Sequence, residues 1–157
     1  MAEWIARWAV LYADHRLVSI GITYLHLAGL MVGGGTAFVT DRAVLRAWRV
    51  GADARDQCLD ALARSHRTVV SALVVMTVSG TLMFAADAGT FLHSRLFWTK
   101  AALLGLLVAN GALLLRRERR LNAADDRGWR RLAVSAGASL LLWLLLLLVG
   151  TWLPVGA

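Results

Sequence analysis

The sequence predicts an all-α fold: an integral membrane four-helix bundle preceded by a short interfacial amphipathic helix. Three observations predict it. Hydrophobic residues fill 59 % of the 157 positions and charged residues only 17 %. The charges are segregated between four long apolar runs, which is the pattern of membrane spans. The one proline, Pro154, stands near the C-terminus, so nothing breaks those runs.

The runs are 17–39, 69–86, 96–115 and 132–153. Each is close to the ~20 residues that cross a ~30 Å hydrocarbon core. Lipid cannot satisfy open backbone N–H and C=O groups, so the runs are expected to be helices. Together they form one domain over residues 1–157, with no convincing internal repeat.

The first residues, Met1-Ala2-Glu3-Trp4, lack the basic segment of a signal peptide. Trp4, Trp8 and Leu11 recur at helical spacing, and Glu3 and Arg7 are placed to pair on another face. Residues 2–13 therefore read as a short helix lying at the membrane interface. The same periodicity also fits a plain extension of the first span.

Arginines set the orientation. The first connection, 40–68, holds Arg42, Arg46, Arg49, Arg55, Arg64 and Arg67. The third holds Arg116, Arg117, Arg119, Arg120, Arg127, Arg130 and Arg131, whereas the second holds only Arg95. Connections one and three share a side, and the positive-inside rule makes that side cytoplasmic and puts both termini outside. Trp48 and Trp129 are expected at the inner edge, with Trp98 and Trp152 at the outer edge. The first connection reads as a long, partly helical loop. The third reads as a basic turn with Asn122-Ala123-Ala124-Asp125-Asp126 at its tip.

The formal charge of +7 is explained by this placement. No nucleic-acid motif accompanies it, so nucleic acid is not an expected partner. The expected partners are the bilayer and other membrane subunits. The lone Cys58 excludes an intrachain disulfide and a Cys-pair metal site. No nucleophile–base constellation or phosphate loop is visible, which argues against a hydrolase or an ATPase.

Within the spans, His26 is the most informative residue. It lies roughly 14 Å from the outer end of its helix at 1.5 Å per residue, where an ionisable group faces a bundle interior or cavity. Gly29, Gly33 and Ala37 follow on its face, and the glycines admit a close helix or a flat cofactor. His26 is therefore either a hydrogen-bonding group at a helix contact or a ligand. Lys100 lies a little more than one turn inside the third span. It either snorkels to the headgroups or binds an anionic group. His93 and Lys100, seven residues apart, share one face with Phe97 and Leu104, and Asn110 continues near it, a polar stripe expected to face the bundle. Met76 lies at a depth like that of His26, so a His26–Met76 haem ligation with Lys100 near a propionate is conceivable. Methionine in an apolar span is more commonly packing. Asp41-Arg42 and His66 sit at the cytoplasmic edge. An Asp–Arg or Asp–His pair can join two helices there, and each residue alone is expected to be solvated. His15, His26 and His93 have no metal-ligand spacing, so no metal cluster is predicted.

These residues resemble a family. Leu25-His26-Leu27-Ala28-Gly29-Leu30, then Gly33-Gly34 and Asp41-Arg42, look like the first span of small bacterial four-helix membrane proteins of unknown function. That family is similar in pattern to the copper resistance protein D type of membrane domain. His66-Arg67, the run Thr77-Val78-Ser79-Gly80-Thr81-Leu82-Met83-Phe84, and Phe97-Trp98-Thr99-Lys100 also fit, so the resemblance covers about 24–111. The family's Asp-Leu-Arg ending is replaced here by Asp41-Arg42-Ala43. The resemblance implies a bacterial inner-membrane location and a four-helix bundle, and no firm activity. A more distant likeness is to the bacterial four-helix membrane protoporphyrinogen oxidase, which also combines a first-span histidine with a later lysine.

Two classes of function follow. One is a redox-associated subunit binding haem b, quinone or copper around His26, Lys100, Met76, His93, Gly29 and Gly33. The other is a noncatalytic membrane subunit or small transporter whose polar residues serve packing and partner contacts.

Overall fold

The computed structural model describes residues 2–118 and 121–156. Met1, Ala157 and two arginines of the third connection, Arg119 and Arg120, lie outside the described residues. The fold is all-α: α1 Ala2–Asp14, α2 Arg16–Val50, α3 Ala52–Ala86, α4 Ala88–His93, α5 Arg95–Glu118 and α6 Asp126–Gly156. By length and composition, α2, α3, α5 and α6 are each able to cross a membrane.

The expected loop 40–68 is corrected by the structure. α2 and α3 are 35 residues each, and only Gly51 separates them. At 1.5 Å per residue each is roughly 52 Å long, about 20 Å more than a hydrocarbon core requires. Gly51 has φ 126°, a conformation that side chains disfavour, so glycine suits this one-residue turn. Charged residues hid the helices from a hydropathy reading, but the buried positions keep helical spacing throughout. Along α2 they are Gly29, Gly33, Ala37, Asp41, Val44 and Ala47.

The extensions hold a core of their own. Val44, Ala47, Cys58, Leu62, Trp129, Leu132, Ala133 and Ala136 pack together from α2, α3 and α6. Trp129, expected at the lipid edge, is fully buried there, and its indole N–H donates to the Asn122 carbonyl at 3.1 Å. Trp48, Trp98 and Trp152 do remain exposed. Arg55, read from sequence as an orienting loop charge, is buried beside Trp129. It donates to the Ala123 carbonyl at 2.9 Å and to Asp126 at 2.7 Å, and its guanidinium carbon lies 5.5 Å from the Trp129 ring centroid. This end of the molecule is the arginine-rich end.

A second cluster, Ala37, Met76, Leu107, Trp143 and Leu146, fills the middle of the four long helices. α2 packs along α3 and α6, and α6 packs along α5, but α3 and α5 do not pack closely on each other. A seam therefore runs between α3 and α5. At the far end it is bridged by Phe84 and Phe97, stacked at 4.9 Å, with Phe91 of α4 beside them.

α1 is a separate helix, not an extension of α2; the chain turns at His15. It lies against α3 and α2, and the Trp8 indole donates to the Leu82 carbonyl at 2.9 Å. Trp4, Val10 and Leu11 stay exposed.

Candidate functional site

His26 points from α2 into α3. Its Nδ1 lies 3.1 Å from the Met76 carbonyl oxygen and 3.1 Å from Ser79 Oγ. The carbonyl has no proton, so this hydrogen bond requires one on Nδ1. Ser79 is buried and donates to the Val75 carbonyl, so its oxygen can accept from the histidine as well. Nε2 is then the unprotonated nitrogen, and it makes no hydrogen bond among the described residues. Gly80 lets the ring come close: a Cβ there would stand 3.2 Å from His26 Cε1.

The two glycines on the His26 face serve helix approach. A Cβ on Gly29 would meet Met76 Cγ at 2.8 Å, and one on Gly33 would meet Ala72 Cβ at 2.8 Å and Trp143 at 3.3 Å. The α2–α3 contact is thus closed one turn inward of His26. Met76 is buried in the central cluster, with its side chain against Gly29.

Lys100 is half-buried on α5 with its ammonium laid against α6. Nζ would be 3.7 Å from a Cβ on Gly150. It lies within electrostatic range of His26. Asn110 also turns to α6, donating from Nδ2 to the Ser135 carbonyl at 2.9 Å. The polar stripe read from α5 therefore faces α6. His93 does not belong to it. α4 ends at His93 and α5 starts after Ser94, so the two residues are on different helices. His93 is exposed, and its Nδ1 bonds the Gly89 carbonyl at 2.9 Å.

A second polar site lies nearer the arginine-rich end, in the seam. A chamber of about 80 Å³ is bounded by all four long helices. Thr40 and Asp41 of α2, Ser65 and His66 of α3, Glu118 of α5, and Ser139 and Trp143 of α6 supply its polar groups. Asp41 was expected to be solvated at the edge, alone or paired with Arg or His. It is instead 4 % exposed, with Ser139 as its side-chain hydrogen-bonding neighbour. The signal for this was present: Asp41 is the next i+4 position after Gly29, Gly33 and Ala37.

On the surface, Arg117, Arg127, Arg130, Arg131 and Val134 frame an open basin of about 390 Å³. Arg117 is anchored there to the Arg131 carbonyl at 3.0 Å and to the Ser135 hydroxyl.

No family model, curated protein or solved structure matches the chain.

Proposed function

We propose that the chain is a multi-pass protein of a bacterial inner membrane, with both termini periplasmic, that binds a redox ligand at His26 and Lys100. The exposed apolar side chains along the long helices, among them Leu17, Met31, Val74, Leu106 and Leu148, support the membrane setting. In water such a surface would be an aggregation liability. The arginine asymmetry supports the orientation.

The observation that carries the ligand reading is the Nδ1–Met76 hydrogen bond. A histidine whose Nδ1–H is held by a carbonyl presents a fixed Nε2 lone pair, the arrangement of metal-binding histidines. The same nitrogen accepts a proton-bearing oxygen, such as a hydroquinone hydroxyl, and Lys100 offers a cation to a propionate or a donor to a quinone carbonyl. Haem b, quinone and copper all fit this chemistry. The closed α2–α3 contact leaves the ligand to approach the Nε2 edge of the ring. Met76, Gly29 and Gly33 then serve packing in this reading, and His93 lies outside it.

The test is gentle purification followed by an absorption spectrum, quinone extraction and copper analysis, repeated for His26→Ala and Lys100→Ala. The expected result is one bound group in the wild type, lost with His26 and weakened without Lys100. A wild type carrying none of the three, or full retention by both variants, overturns the proposal.

One observation favours a second reading. The same hydrogen bond ties α2 to α3 across the glycine contact, as a noncatalytic membrane subunit or small transporter would need for packing. In that case His26→Ala lowers thermal stability and there is no ligand to lose.

A further inference from the structure

The chamber in the seam carries an inference that stands apart from the His26 reading. It involves other residues and the other half of the bundle. Asp41 is 4 % exposed, and its Oδ2 has no hydrogen-bond partner. Trp143, 7 % exposed, leaves its indole N–H equally unpaired. Both line the same cavity. Asp41 has no ion pair among the described residues. A buried carboxylate without a cation or a full set of donors is costly. An ionisable residue in such a position is by default a functional group.

The size and chemistry of the chamber select what it holds. About 80 Å³ admits a few water molecules, whereas an organic ligand occupies pockets of roughly 300 Å³ or more. A metal cation needs several oxygen ligands. Thr40 and Ser65 donate their hydroxyl protons to carbonyls of their own helices. No group of three His, Cys, Asp or Glu side chains is placed to hold a metal among the described residues. Asp41 and Trp143, each with one buried and unpaired polar atom, line a water-sized space, which suits a proton and the water that carries it.

We propose that Asp41 is a proton-binding acid that exchanges its proton through water in this chamber. The titratable groups around it are His66 from α3 and Glu118 from α5; α6 contributes Ser139 and Trp143, which do not titrate. Glu118, the last residue of α5, lines the chamber at the arginine-rich end.

Infrared spectroscopy of the full chain in lipid nanodiscs tests this. The expected result is a protonated-carboxyl band that is absent from Asp41→Asn, moves to lower frequency in heavy water, and fades as pH rises. Glu118→Gln and His66→Gln are expected to move the midpoint of that fading, and Trp143→Phe to change the band's frequency. If Asp41→Asn fails to fold by circular dichroism, isotopically labelled aspartate in the wild type identifies the band instead. No aspartate-dependent band at any pH, or a band indifferent to heavy water in folded protein, overturns the proposal.

Discussion

Arg55 donates to Asp126 at 2.7 Å, yet the arginine side chain is 10 % exposed and the aspartate 84 %. The pair is lopsided. Exposed carboxylates contribute little, but Arg55 also holds the Ala123 carbonyl and covers Trp129. Asp126→Asn is therefore expected to cost under about 1 kcal/mol. Arg55→Ala is expected to cost about 2–3 kcal/mol, because it opens a charge-assisted bond to a carbonyl and a cation–π contact together. Chemical or thermal unfolding in detergent measures both, and equal losses would contradict the lopsided pairing.

The glycines on α2 are expected to differ among themselves. Gly33→Ala drives a methyl into Ala72 Cβ and towards the Trp143 ring, and Gly29→Ala drives one into Met76 Cγ and towards the Ala72 carbonyl oxygen. Both should be damaging, and leucine at either position should cost about 1–3 kcal/mol by overpacking. Gly35 has nothing within 4 Å, so Gly35→Ala should be neutral or stabilising by up to about 1 kcal/mol. Melting temperatures of the three alanine variants rank them.

Cys58 should be unreactive in the folded chain. It is 5 % exposed inside the core shared by α2, α3 and α6. A maleimide should add to it only after unfolding, and mass spectrometry reads this directly, since no other cysteine is present. Rapid labelling of native protein would show that this core is open.

Topology is expected to place both termini in the periplasm and the Gly51 turn in the cytoplasm. Reporter fusions after residue 157 and within 50–60 decide it. Activity of a cytoplasm-only reporter at the C-terminus would reverse the orientation.

The four apolar helices were legible because hydropathy and length report the same thing there. The first connection was not. Hydropathy registers a lipid-facing surface, and residues 40–68 carry arginines outside while Val44, Ala47, Cys58 and Leu62 pack inside. A helix with a narrow buried stripe looks like a loop when only its mean composition is weighed. His26 was legible as a helix-to-helix group from its depth and its glycines. Asp41 carried a spacing signal for its buried face, as the next i+4 position after Ala37, but its enclosure was not legible, because Ser139 and Trp143 are distant in the chain. The break at Ser94 was also missed, and with it the separation of His93 from Lys100.

A turn made of Gly51 alone permits the two longest helices to swivel but not to part. At the opposite end the chain itself, through α4, carries α3 into α5, with the stacked rings beside it. At the arginine-rich end α3 begins and α5 finishes, and no such link joins those two helices. A covalent link cannot slide apart, whereas side-chain contacts can. Any widening of the seam would therefore begin at the arginine-rich end, near the Asp41 level, and reach Phe84 and Phe97 last.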